Sequence, residues 1–200
     1  MKILFFSNNQ HKIYEVKNIL SSMKIEMLTL NDIAREIVVE ETGSNYFENA
    51  LLKAKTASEL TGMSVLADDS GLEVDAIPHE LGIFSARFGG EGFSDQDKNA
   101  LLLKKLDGIP FEKRTARFVS LVVFYNLDKT YYSFKGSLEG MIAESPQGQH
   151  GFGYDPIFYL PNLKCSVAHL SETDKNKISH RSIAFRKFGD WYMNVFMKRV

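Results

Sequence analysis

Apolar and polar positions along this chain alternate with two different periods, and each change of period marks an element. Ile3-Leu4-Phe5-Phe6 is a continuous apolar run with the length of a buried strand, and the polar stretch Ser7 to His11 ends it. Beyond it Ile13, Val16, Ile19, Leu20 and Met23 fall three and four apart, which predicts a helix over 12–23. The chain therefore opens as strand, tight loop, helix. Ile25–Leu30 and Ile37–Val39 read as short strands. Asn45 with Glu48 three residues on is an N-terminal capping pattern. Phe47, Ala50, Leu51, Ala54 and Ala57 line one face of the helix that follows, and Thr61-Gly62 closes it.

Val65-Leu66-Ala67 reads as a buried strand stopped by Asp68-Asp69-Ser70-Gly71. Ser94 and Asp97 cap a helix running to about Leu106, where Asp107-Gly108 and Pro110 terminate it. Thr115–Tyr125 and Tyr131–Ile142, joined across 126–129, predict a long antiparallel hairpin. A glycine-containing loop over 148–154 and a short strand at Ile157–Tyr159 follow. Ile183, Phe185, Phe188, Trp191, Tyr192, Val195 and Phe196 predict a last helix from Ser182 to the end. Early alternation of strands and helices with a late hairpin gives an α/β fold built on a mixed β-sheet flanked by helices.

Composition narrows the class. The chain has 200 residues, 44% of them hydrophobic and 24% charged, which is enough apolar material for one domain with a substantial core. A formal net charge of −1 supplies no general attraction for nucleic acid or an anionic membrane, and no nucleic-acid recognition motif is present. The single cysteine, Cys165, can form no internal disulfide. The apolar start is too short for a signal peptide or a membrane span, so the expectation is a cytoplasmic protein.

The candidate chemistry lies in five polar segments. Ser7, Asn8, Asn9, Gln10, His11 and Lys12 stand where a helix begins. The orphan N–H groups and dipole of that helix end favour an anion, and a lysine there is disfavoured unless an anion is present. The segment lacks the Gly-x-x-x-x-Gly-Lys pattern of a P-loop. Glu40-Glu41 and Asp68-Asp69 supply carboxylates at the ends of predicted strands, suited to magnesium, which needs only one or two of them beside phosphate oxygens. Adjacent residues of an extended segment face opposite ways, so one aspartate can reach a metal while the other holds the loop backbone. Phe152 and Tyr154, set among glycines, offer flat faces for a purine, with Asp155 beside them. Lys175, Lys177, His180 and Arg181 supply donors for a phosphate or a purine 6-oxo group. Taken singly, each segment also describes a solvated turn or a core aromatic.

Taken together and in order, these segments resemble the inosine/xanthosine triphosphate pyrophosphatases, the enzymes of noncanonical purine nucleotides. The resemblance lies in Ser7-Asn8-Asn9-Gln10-His11-Lys12, Glu40-Glu41-Thr42-Gly43, Phe47-Glu48-Asn49-Ala50 with Lys53, and Ala67-Asp68-Asp69-Ser70-Gly71-Leu72. It continues through Ser85-Ala86-Arg87, Gly151-Phe152-Gly153-Tyr154-Asp155-Pro156 and Ile178-Ser179-His180-Arg181. It implies an elongated two-lobed protein with a central cleft, a single pyrophosphatase domain over 1–200, and a homodimer. The implied reaction is hydrolysis of ITP, dITP and XTP to monophosphate and pyrophosphate with Mg2+. By the same resemblance Asp69 is the general base and a magnesium ligand, with Glu40 as a second acid. Ser7 to Lys12 and Lys53 hold the triphosphate. Ser70, Phe152, Gly153, Tyr154, Asp155, Lys175, His180 and Arg181 contact the nucleotide. The chain departs from the family in Ser7-Asn8-Asn9 for the usual Thr-Gly-Asn or Thr-x-Asn, in His150 for a glycine, and in Pro78-His79-Glu80-Leu81-Gly82 for a glycine-rich turn. These differences bear on loop shape and substrate preference rather than on the reaction.

Overall fold

The computed structural model of the chain describes residues 2–21 and 25–196. Its strands are β1 (Lys2–Phe6), β2 (Glu26–Thr29), β3 (Ser64–Val74), β4 (Thr115–Tyr125), β5 (Tyr131–Ile142), β6 (Phe158–Leu160) and β7 (Cys165–Ser166). They form an open mixed sheet in the order β2-β1-β3-β4-β5-β6-β7. β1 runs parallel to both β2 and β3, and β6 is antiparallel to β5 and β7. The helices are α1 (Gln10–Ser21), α2 (Tyr46–Thr61), α3 (Asp95–Lys105), α4 (Glu172–Ile178) and α5 (His180–Trp191), and a π-helical turn, Tyr192–Phe196, follows α5.

The chain divides into two compact units. The first comprises Met1–Ser70, Ser120–Gly136 and His180–Val200, and the second Gly71–Val119 and Ser137–Ser179. In the first unit, strand alternation sends Ile3, Phe5, Leu66, Val122 and Phe124 to a cluster with Ile13, Val16, Phe185 and Phe188 of α1 and α5. The alternate residues Leu4, Phe6, Val65, Ala67, Val123 and Tyr125 meet Ala50, Ala54 and Ala57 of α2 on the other face. Both faces of these strands are covered, which explains why β1 reads as an unbroken apolar run. The second unit has its own core, built around Leu72, Val74, Leu102, Leu106, Phe118, Tyr154, Ile157 and Phe158.

Local capping signals appear where the sequence places them. Asn45 accepts from the Glu48 N–H and Gly62 ends α2 in the left-handed region, while Ser94 and Asp97 form a reciprocal capping box on α3.

Four expectations are corrected. Ile37–Val39 is not a strand: Ile37 is buried in the α2-side core and Val38 is 81% exposed, so the segment is held by burial without ladder pairing. The third strand does not stop at Asp68 but runs on to Val74, because Leu72 and Val74 enter the second core and the intervening polar side chains find partners. α4 precedes the last helix, capped by Ser171, which accepts from the Asp174 N–H. α5 begins at His180 rather than Ser182, with Ser179 as the break between the two helices. Met23, expected in the first helix, and residues 197–200, expected in the last, lie outside the described residues. Among the described residues no helix is long and apolar enough to cross a membrane.

Candidate active site

The pairing of β1 with β3 ends at Phe6↔Ala67, while β3 continues for seven more residues. Asp68 and Asp69 thus stand just beyond the end of β1, level with the turn that leads into α1. The carboxylates mark the C-terminal end of β1 and not, as the sequence suggested, the end of their own strand.

Alternation then sorts the two aspartates onto opposite faces. Asp68 shares the face of Leu66, toward α1 and α5, and is 2% exposed. Its Oδ2 accepts from Lys12 Nζ at 3.1 Å and lies 3.5 Å from Arg181 Nε. The guanidinium also donates through NH1 to Glu15 and through NH2 to Ser70 Oγ at 3.3 Å. The expectation that Asp68 holds the loop backbone is therefore corrected. A buried carboxylate needs opposite charge, and α1 and α5 supply it. Burial alone would raise the Asp68 carboxyl, but Lys12, Arg181 and Lys53 outweigh it and hold the group well below the usual carboxylate range. Burial, with Arg181 and Lys53 nearby, lowers the Lys12 ammonium despite Asp68. Burial likewise opposes the charge on Arg181, yet Glu15 and Asp68 raise its pKa above the ordinary value.

Asp69 shares the face of Val65 and Ala67, toward α2, and is 5% exposed. Its Oδ1 accepts from Lys53 Nζ at 3.2 Å and its Oδ2 from Asn49 Nδ2 at 3.3 Å. Lys53 Nζ also donates to Glu41 Oε1 at 2.8 Å. Burial, helped by the Glu41 charge, pushes the Asp69 carboxyl upward against Lys53, Lys12 and Asn49. Lys53 itself is raised, because Asp69, Asp68 and Glu41 outweigh its burial. One strand thus presents a strongly ionised aspartate on one face and a more basic one on the other.

The start of α1 is built locally. Asn9 Oδ1 accepts from the Lys12 N–H at 3.1 Å, so Asn9 caps the helix, and the Asn9 N–H donates to Ser7 Oγ at 3.2 Å. Asn8, Gln10 and His11 are exposed. The anion expected to compensate Lys12 at this helix end is already present as Asp68.

Of the two glutamates, Glu41 reaches the Lys53–Asp69 pair, while Glu40 is exposed. His180 is buried in the first turn of α5, which approaches β5 closely because Gly136 has no side chain. A Cβ there would lie 2.2 Å from the His180 carbonyl oxygen.

The remaining predicted residues gather in the second unit. Asp155 Oδ2 accepts from Lys175 Nζ at 2.6 Å and from the Phe152 N–H at 2.9 Å. The Lys175 ammonium sits 4.4 Å from the centre of the half-buried Phe152 ring. Gly153 donates to Asp95 Oδ2 at 2.7 Å and accepts from Asn99 Nδ2 at 3.0 Å. Tyr154 is not an open purine platform: its ring is in the core and its hydroxyl donates to the Ser85 carbonyl at 2.8 Å.

Sequence reasoning missed Glu15 and Asn49. The available signals were an acid among the buried positions of α1 and a polar residue one helical turn before Lys53.

The Ham1 family profile matches residues 3–191. The dITP/XTP pyrophosphatase of Dictyoglomus thermophilum is 45% identical over 188 residues, covering 92% of this chain and 91% of that protein. The dITP/XTP pyrophosphatase of Thermoanaerobacter pseudethanolicus is 41% identical over 193 residues, covering 96% and 97%. Among solved structures, the Ham1 protein of Staphylococcus aureus superposes with a TM-score of 0.86 at 39% identity, covering 96% of this chain and 98% of that one. The HAM1 protein of Coxiella burnetii gives 0.88 at 33% identity, covering 98% and 100%.

Proposed function

The chain belongs to the Ham1 family, and from that premise we propose that it hydrolyses abnormal purine nucleoside triphosphates, dITP, XTP and ITP, to the monophosphate and pyrophosphate. The observation that carries this reading is the charge arrangement beyond the end of β1. Half-buried Lys12 and buried Lys53 each reach one of two adjacent carboxylates on opposite faces of a single strand, where a helix begins.

Asp69 has the properties a general base needs. Its carboxyl is raised toward the working pH, and both its oxygens are held by donors, which fixes its direction. It takes the proton of a water whose oxygen attacks the α-phosphorus. Lys12, with the N-terminal end of α1, and Lys53 meet the charge on the phosphate oxygens and on the departing pyrophosphate.

Asp69, Glu41 and the exposed Glu40 carry hard carboxylate oxygens of the kind Mg2+ prefers. No cluster of three or more ligating side chains exists among the described residues, so the other ligands would be phosphate oxygens and water. The donor set fits a magnesium ion held by Asp69 with Glu40 or Glu41. When bound, the ion supplies neutralisation of phosphate charge.

Base choice is assigned to Arg181 and His180. A bond donated to the 6-oxo group of hypoxanthine or xanthine is lost with adenine, at a cost of about 1–3 kcal/mol. Ser70, bonded to Arg181, is a further nucleotide contact, and the full reading is a cytoplasmic homodimer. Pyrophosphate release from ITP, dITP, XTP, GTP and ATP, with and without Mg2+, tests the activity, and light scattering tests the dimer. Equal turnover of ATP and ITP by the wild-type protein would remove the specificity. Equal loss of both substrates in Arg181→Ala would turn that residue into a phosphate ligand.

A further inference from the structure

We propose that Asn49 is a positioning residue for the reaction, fixing the direction of the Asp69 carboxylate through an amide whose own orientation is imposed by the Gly43 backbone. The inference rests on Asp69 serving as the base.

Asn49 lies in the second turn of α2 and is fully buried. Its Oδ1 accepts from the Gly43 N–H at 2.8 Å, and its Nδ2 stands 3.3 Å from Asp69 Oδ2. A side-chain amide can in principle sit either way round, but a backbone N–H can only donate. The atom facing Gly43 must therefore be the oxygen, and the donor is forced toward Asp69. The lock is close-fitting. A Cβ on Gly43 would fall 2.6 Å from Asn49 Oδ1, 2.7 Å from Glu48 Cβ and 2.8 Å from the Asn49 nitrogen. Glycine is thus needed at 43 for steric reasons, with no demand for unusual backbone angles.

The consequence is a carboxylate held on both oxygens, Lys53 on Oδ1 and Asn49 on Oδ2, by residues one turn apart on the same helix.

The substitution that separates aiming from mere structural support is Asn49→Asp. It is isosteric and keeps an acceptor for the Gly43 N–H; once ionised it has no donor for Asp69, and because a second carboxylate beside Asp69 can share its proton, kcat is compared on the alkaline plateau of the pH profile, where both are ionised. If Asn49 only ties down the 43 loop, this variant turns over ITP like the wild type, and Asn49→Ala, which loses both contacts, is the impaired one. If Asn49 aims the base, kcat falls by about tenfold to a hundredfold in Asn49→Asp as well as in Asn49→Ala, with KM for ITP within about twofold of wild type. Gly43→Ala, which drives a methyl into the amide oxygen, is expected to lower kcat in the same way and to add little in combination with Asn49→Ala. Circular dichroism and thermal melts confirm the fold of each variant. Should Asn49→Asp fail to fold, Asn49→Ser together with Gly43→Ala carries the test, and both must lose kcat at unchanged KM. Near-wild-type kcat in a folded Asn49→Asp, or in both substitutes, overturns the inference. Asp69→Asn is measured alongside: if it remains active, the assignment of the base is what fails, whereas an inactive Asp69→Asn beside a fully active Asn49→Asp removes only the role of Asn49.

Discussion

Replacing Asp68 by asparagine tests whether the charge network beyond β1 is as tightly balanced as its geometry implies. Asp68 is the anion between Lys12 and Arg181, and its side chain is 1% exposed, so solvent does little to screen the change. Asparagine keeps the shape and one acceptor but leaves buried Arg181 and half-buried Lys12 facing each other across a neutral group. Removing one partner of a buried ion pair costs about 3–5 kcal/mol, and the retained acceptor places Asp68→Asn near the lower end of that range. For a chain of this size about 3 kcal/mol corresponds to a fall in Tm of roughly 6–12 °C. The pH dependence gives a second, independent signal. The folded-state carboxyl is depressed below its ordinary value of 3.8, so its contribution is fully present above that pH and is lost as pH falls toward the folded pKa. The stability gap between wild type and Asp68→Asn should therefore be constant from pH 7 to about 5 and shrink below about 4. Urea unfolding followed by circular dichroism at pH 7, 5, 4 and 3 measures both quantities. A variant as stable as wild type at pH 7, or a gap that does not narrow in acid, would refute the balanced-network account.

Three further outcomes follow from single contacts. Lys53→Met removes the largest influence that lowers the Asp69 carboxyl, so Asp69 ionises only at higher pH and the acidic limb of the pH–kcat/KM profile moves upward; an unmoved limb counts against Asp69 as the base. Gly136→Ala forces a methyl to within 2.2 Å of the His180 carbonyl and is expected to cost about 1–3 kcal/mol in urea unfolding, with a reduced preference for ITP over ATP as the first turn of α5 shifts. Tyr154→Phe leaves the buried Ser85 carbonyl without its hydroxyl donor and should lower stability by about 1–2 kcal/mol, read from the urea midpoint at unchanged m-value.

What the sequence by itself determined is what is encoded over a few residues. The Asn45–Glu48 cap, the Ser94–Asp97 box, the Gly62 terminator and the β4–β5 strands Thr115–Tyr125 and Tyr131–Ile142 are all legible, because each depends on neighbours within one turn or on a two-residue period. The resemblance identified the chemistry-bearing residues but not their partners. Only the tertiary structure decided that β3 runs through the aspartates, that Asp68 binds Lys12 and Arg181 and not the loop backbone, that Glu41 reaches Lys53, and that Tyr154 belongs to the core. Arg181 and Glu15 are 166 positions apart in sequence, and Lys12 and Asp68 are 56 apart. No local period carries such a pairing. It arises when the strand order β2-β1-β3 places the end of β1 against the middle of β3, and when burial there leaves each charged group no stable alternative to the opposite charge that the packed helices bring to it.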